Sequence, residues 1–192
     1  MNKNVLQKLL RDLYNHKIDP KQAADLLSTL PYENLDFAKV DHHRSLRSGL
    51  AEVIYGQGKT SDQVISIIKS LHKAGNDILT TKLDSEVYKQ IKKKLPAGAV
   101  YNESSRTLII QKAKKKKKMG HITLVSAGTS DIPIAEEAQI TAELFGSRVE
   151  TIFDVGVAGI HRLLDKVDGL RQARVVIVVA GMDGALAGVV GG

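Results

Sequence analysis

From His121 to Gly192 the chain runs three times through one pattern: an apolar, largely β-branched stretch, a glycine-containing turn, then a helical stretch. The turns are Ser126-Ala127-Gly128-Thr129-Ser130-Asp131, Asp154-Val155-Gly156-Val157-Ala158-Gly159-Ile160-His161-Arg162, and Ala180-Gly181-Met182-Asp183-Gly184-Ala185. The spacing predicts strands over Ile122–Val125, Val149–Phe153 and Val175–Val179, with helices over Ile132–Phe145, Val157–Leu164 and Gly184–Val190. Continuous β-branched strands between helices imply a parallel sheet buried on both faces. In such a sheet the strand-to-helix turns share the carboxyl edge, where ligands bind and helix-start amides attract phosphate or carboxylate. A sheet of three strands leaves its outer strand uncovered, so the domain is expected to continue past Gly192.

The preceding residues read differently. Val5, Leu6, Leu9, Leu10 and Leu13 recur at helical spacing, and Pro20 opens a second helix that Pro31 breaks. Phe37–Val40 and Glu52–Tyr55 are predicted strands around a polar stretch, Asp41 to Ser48, that holds His42, His43, Arg44 and Arg47. A helix over Ser61–Ala74, a strand over Ile78–Thr81, a charged helix over Ser85–Leu95 and two strands, Ala99–Tyr101 and Thr107–Gln111, follow. The domain boundary is placed near residues 112–119, giving an α+β domain over 1–118 with a basic linker at its end, and an α/β domain over 119–192.

Charge marks the same boundary. The net charge is +7, but Lys112 and Lys114 to Lys118 supply six of the 28 basic residues, and the other 22 nearly balance 21 acidic ones. The run reads as a solvated linker, with weak polyanion contact as the alternative and no specific nucleic acid expected. Aromatic content of 4% and the lack of Trp argue against base-stacking platforms. There is no cysteine, which rules out disulfides and a thiol nucleophile within these residues and fits a reducing, cytoplasmic setting. The N-terminus lacks a signal-peptide core, and no apolar run is long enough to span a bilayer, so no membrane partner is expected.

Two tempting motifs fail on chemistry. Gly58-Lys59-Thr60 resembles the end of a P-loop, but the first glycine that motif needs would fall on Val53. His42 and His43 are adjacent, and neighbouring side chains on a strand point to opposite faces, which is poor metal geometry. No protein-held metal is expected.

Residues 120–192 resemble the aminoimidazole-ribotide carboxylase (PurE) fold, through the three turns and Ala135-Glu136-Glu137-Ala138. The whole chain is similar to the LarB family of nickel-pincer cofactor biosynthesis. Asp41-His42-His43-Arg44-Ser45-Leu46-Arg47-Ser48-Gly49 and Glu52-Val53-Ile54-Tyr55-Gly56-Gln57-Gly58-Lys59-Thr60 match that family and have no counterpart in PurE. The resemblance implies a PurE-like three-layer αβα fold, incomplete here, behind a smaller α+β domain. It implies carboxylation of the pyridinium ring of nicotinic acid adenine dinucleotide by carbon dioxide or bicarbonate, and hydrolysis of the phosphoanhydride. The products are pyridinium-3,5-biscarboxylic acid mononucleotide and AMP, on the way to the cofactor of lactate racemase. It further implies a homo-octamer built on the PurE-like domain, with no permanently bound cofactor and Mg2+ as a candidate aid to anhydride hydrolysis.

Under this resemblance His161 is a candidate to bind carboxylate or move a proton, and Asp183 to accept a proton or orient the ring; capping a helix is the alternative for each. Ser126, Gly128, Thr129 and Ser130 are the expected phosphate cradle, since glycine permits close approach and hydroxyls add donors. Asp131 better suits ribose hydroxyls or a cap. Arg162 shares the second turn with His161. Asp41, Arg44, Arg47 and Lys59 are candidates for the adenylate side, a solvated cluster being the alternative. Two departures stand out. The family usually carries Glu where this chain has Asp183, and it uses a C-terminal cysteine nucleophile that these residues lack. A polypeptide that stops at Gly192 is therefore expected to be inactive. A PurE-type carboxylase or mutase and a non-catalytic nucleotide-binding module remain the competing expectations.

Overall fold

The computed structural model describes residues 3–28, 32–42, 44, 50–111 and 118–192. Pro31, His43, Arg47 and all but Lys118 of the lysine run lie outside the described residues. The architecture is mixed α/β, and the chain divides into two compact units, residues 1–101 with 108–114 and residues 102–107 with 115–192.

The first unit opens with helices α1 (Lys3–Tyr14) and α2 (Pro20–Ser28). Two short strands follow, β1 (Glu33–Asn34) and β2 (Lys39–Val40), paired antiparallel. The predicted strand over Phe37–Val40 is thus shorter than expected. Asp36 adopts a left-handed φ of 65°, its amide donates to Asn34 Oδ1 at 3.1 Å, and Phe37 is spent in the resulting turn. Next come β3 (Val53–Tyr55), α3 (Ser61–Lys73), β4 (Ile78–Thr81), α4 (Ser85–Ile91), β5 (Ala99–Asn102) and β6 (Thr107–Ile110). The sheet order is β3-β4-β6-β5, with β3 parallel to β4 and β4 antiparallel to β6. The parallel pair requires a crossover, and α3 supplies it. Thr60 and Gln63 form a capping box at its start, and Val64, Ile65, Ile67, Ile68 and Leu71 give it one apolar face. That face packs with Ile54, Ile78, Leu83, Ile91, Leu108 and Ile110 into one core. The helix predicted over Ser85–Leu95 ends at Ile91 and tightens to a 3-10 turn over Lys92–Lys94.

The second unit is a parallel sheet in the order β8-β7-β9, from β7 (Met119–Ser126), β8 (Ser147–Ile152) and β9 (Val175–Val179). Helix α5 (Ile132–Leu144) links β7 to β8 and packs against both. Helices α6 (Ile160–Leu164) and α7 (Val167–Arg171) link β8 to β9, and α8 (Ala185–Gly191) follows β9. Right-handed crossovers to opposite sides of β7 place their helices on opposite faces of the sheet, which makes three layers. One face carries a core of Val125, Val155, Leu163 and Leu186, with Leu170 and Val190 against it. The helix expected from Val157 begins as a 3-10 turn, Val157–Gly159, and α7 is an element the spacing does not reveal.

Candidate functional site

Because β8 and β9 flank β7, the chain leaves the end of β7 toward one neighbour and returns on the other side. In an open parallel sheet such a reversal is the usual ligand position, here the crevice expected between the turns after β7 and β9. The turn after β7 starts at Ser126, whose residue is fully buried and whose Oγ has no hydrogen-bond partner in the structure. A buried hydroxyl without a partner marks a donor position that an incoming acceptor can satisfy. The Gly128 amide donates to Asp131 Oδ2 at 2.8 Å, and the Asp131 amide donates to Gly128 O at 3.0 Å. This closes the 3-10 turn Thr129–Asp131, which runs directly into α5. Thr129 and Ser130 are exposed at its head.

Backbone contacts hold the other two turns against this one. The amides of Val155 and Gly156 donate to Ser126 O at 3.1 Å and Ala127 O at 2.8 Å, and the Ala127 amide donates to Val179 O at 3.0 Å. A Cβ on Gly156 would sit 3.0 Å from Ala127 O, so only glycine allows this approach. On the other side, a Cβ on Gly181 would lie 3.6 Å from Asp131 Oδ1. The second carboxylate oxygen of Asp131 therefore borders the third turn, on the crevice between the turns after β7 and β9.

The charged residues of the second turn are tied to one another. Arg162 Nη1 donates to Asp154 Oδ2 at 2.5 Å, with both side chains partly exposed. The guanidinium lies over Gly159, where a Cβ would meet Nε at 2.6 Å. Asp154 has φ 59°, in the left-handed region that a non-glycine residue occupies at a cost of strain. Asp154 is the site residue that sequence reasoning passed over. Its position directly after a strand was visible, but the pairing eight residues on depends on the 3-10 turn that folds Arg162 back. His161 is exposed on the first turn of α6, next to Arg162. Asp183 is exposed and its Oδ1 accepts from the Ala185 amide at 3.2 Å, so it at least serves the local turn before α8. The preceding Met182 also has a left-handed φ, 48°, and is fully exposed.

In the first unit the predicted adenylate residues that are described each make a local hydrogen bond. The Asp41 amide donates to Glu52 Oε2 at 2.6 Å, before the start of β3. Lys59 Nζ donates to Tyr55 O at 2.8 Å, at the end of β3. Lys59 closes its own turn, while Asp41 and Arg44 stay together, the Arg44 amide donating to Asp41 O at 3.5 Å. Among the described residues no three His, Cys, Asp or Glu side chains gather as a bound metal would require. No described helix is long and apolar enough to cross a membrane.

Comparison with known proteins agrees with this architecture. The family model of the LarB/PurE-like N-terminal domain matches residues 32–113, the segment holding Asp41, Arg44, Arg47 and Lys59. An uncharacterized protein of Methanocaldococcus jannaschii is 38% identical over 200 residues, covering 99% of this chain and 77% of that protein. With the match at residues 32–113 and a likeness that covers 99% of this chain, the chain belongs to the LarB/PurE-like family.

Proposed function

We propose that the protein carboxylates the pyridinium ring of nicotinic acid adenine dinucleotide with carbon dioxide or bicarbonate and hydrolyses its phosphoanhydride, releasing AMP. The observation that carries this reading is the crevice at the end of β7. It combines an unsatisfied buried hydroxyl on Ser126, a carboxylate on Asp131 and the close approach of Gly181 to that carboxylate. Hydroxyl and helix-start amides suit a nucleotide phosphate, and Asp131 Oδ1 suits a ribose hydroxyl. The family likeness makes the chemistry carboxylase-type.

A pyridinium ring is electron-poor and does not attack carbon dioxide unaided. Addition of a nucleophile para to nitrogen gives an enamine whose meta carbon forms the new C–C bond; loss of that carbon's proton and of the nucleophile restores the ring. By the resemblance that nucleophile is a cysteine, and these 192 residues contain none. The present residues take the remaining tasks. His161 and Asp183 are the bases for the ring proton, Arg162 faces a carboxylate with the N–H groups not engaged by Asp154, and Arg44 with Arg47 meets the adenylate phosphate. Asp41 and Lys59 complete the adenylate side, Lys59 with the N–H groups that its bond to Tyr55 O leaves over.

The test is incubation of the full-length protein with nicotinic acid adenine dinucleotide and 13C-bicarbonate, read by mass spectrometry. Labelled carboxylated mononucleotide and AMP are expected together. Turnover of aminoimidazole ribotide with neither of those products would replace this reading with a PurE-type reaction. Nucleotide binding without turnover of either compound would leave a binding module.

A further inference from the structure

A small polar cluster in the first unit takes no part in the chemistry above. Glu33 Oε2, on β1, accepts from Ser70 Oγ of α3 at 2.6 Å and bonds His42 Nε2 at 2.9 Å. His42 is 4% exposed and Ser70 8% exposed, so these bonds are largely shielded from water. The arrangement is not a nucleophilic triad. The Ser70 hydroxyl gives its proton to Glu33, and His42 Nε2, at 3.4 Å, is left with no proton to draw from it. Its effect is mechanical. It pins residue 42 between β1 and α3. Glu52 pins the adjacent residue, accepting from the Asp41 amide at 2.6 Å. Two carboxylates, one on β1 and one just before β3, therefore fix consecutive residues ahead of Arg44.

We propose that Glu33 and Glu52 are positioning residues for nucleotide binding. They hold in place residues 41 and 42, which lead from β2 toward Arg44, and neither touches the ligand. The inference rests on the assignment of Arg44 to the adenylate phosphate. An arginine held on a fixed backbone loses less freedom when it closes on a phosphate, and that saving appears as affinity and not as chemical rate. Removing either clamp acts through Arg44 and so vanishes when Arg44 is absent.

The experiment is a double-mutant cycle in the full-length protein. Glu33→Gln, Glu52→Gln, Ser70→Ala, Arg44→Ala and the Glu33→Gln/Arg44→Ala pair are compared by calorimetry with AMP and by kinetics with nicotinic acid adenine dinucleotide. Each clamp variant is expected to weaken AMP binding and raise KM by about three- to tenfold, the worth of ordering one or two side chains, with kcat unchanged. In the Arg44→Ala background Glu33→Gln is expected to add nothing, the mark of coupled residues. Equal losses in both backgrounds, or unchanged KM and AMP affinity, overturn the inference. Should Glu33→Gln fail to fold, Ser70→Ala and Glu52→Gln decide by the same criteria. AMP binding that depends on Arg44 and Glu33 without dinucleotide turnover sinks the proposed reaction and keeps this inference. Turnover that is indifferent to Arg44 does the reverse. A protein that binds neither compound refutes both.

Discussion

A buried hydroxyl without a partner costs the folded state about 1–3 kcal/mol, and Ser126 carries one at the end of β7. Stability and binding therefore pull in opposite directions at this residue. Ser126→Ala is expected to leave the free protein as stable or more so in urea unfolding, while weakening its affinity for AMP or the dinucleotide. Thr123 is the control. It lies three residues earlier on β7, is 1% exposed, and its Oγ1 also lacks a partner. Thr123→Val should stabilise the protein and leave binding unchanged, and loss of binding there would count against the crevice assignment. Glu33 predicts a pH dependence. Hydrogen bonds from Ser70 and His42, then the charges of His42 and Lys73, outweigh burial and hold its carboxyl below the usual glutamate value. A depressed folded pKa gives stability that is present above the unfolded value, about 4.3, and lost as pH falls through the folded one. Thermal melts from pH 6 down to pH 3 should show wild type losing more stability than Glu33→Gln. Because the Glu33 side chain is 38% exposed, solvent keeps the effect modest.

At the scale of elements, the turns are held by donors and by space. Thr60 accepts from the Gln63 amide and Gln63 returns a bond to the Thr60 amide, so Thr60→Ala should cost about 1 kcal/mol in unfolding free energy. Gly156→Ala must push the second turn away from Ala127 O, and a loss of about 1–3 kcal/mol is expected with reduced nucleotide affinity. These same features explain what the chain disclosed beforehand. The three strand–turn–helix units were legible because β-branched runs and glycines are local signals. The register of β7 between its two neighbours, and hence the crevice between the first and third turns, was not, since strand order is a tertiary property. Arg162 read as a plain cation; only the fold over Gly159 reveals its carboxylate partner. Asp41, Arg44 and Lys59 read as one cluster because they are close in sequence, while the bonds from the Asp41 amide to Glu52 and from Lys59 to Tyr55 are tertiary details that no motif shows. The Glu33–His42–Ser70 cluster joins positions up to 37 apart and left no mark in any motif.

For the whole molecule, charge and core are unevenly spread. The first unit holds the larger core, with Ile68 and Leu71 of α3 fully buried. Ile68→Ala should cost about 2–5 kcal/mol in chemical denaturation. The excess positive charge resides in residues 112–118. Replacing those six lysines by glutamine should abolish salt-sensitive retention on heparin and leave dinucleotide affinity intact, because polyanion contact depends on charge and not on sequence.

Strand β7 alternates Thr123 and Val125 on one side with Leu124 and Ser126 on the other, and pairs in register with Val149–Ile152 and Val175–Val179. One residue inserted between Leu124 and Ser126 would turn the serine hydroxyl toward the hydrophobic packing of the opposite layer. Chemistry at this edge is thus keyed to parity: the protein has to count correctly along its middle strand.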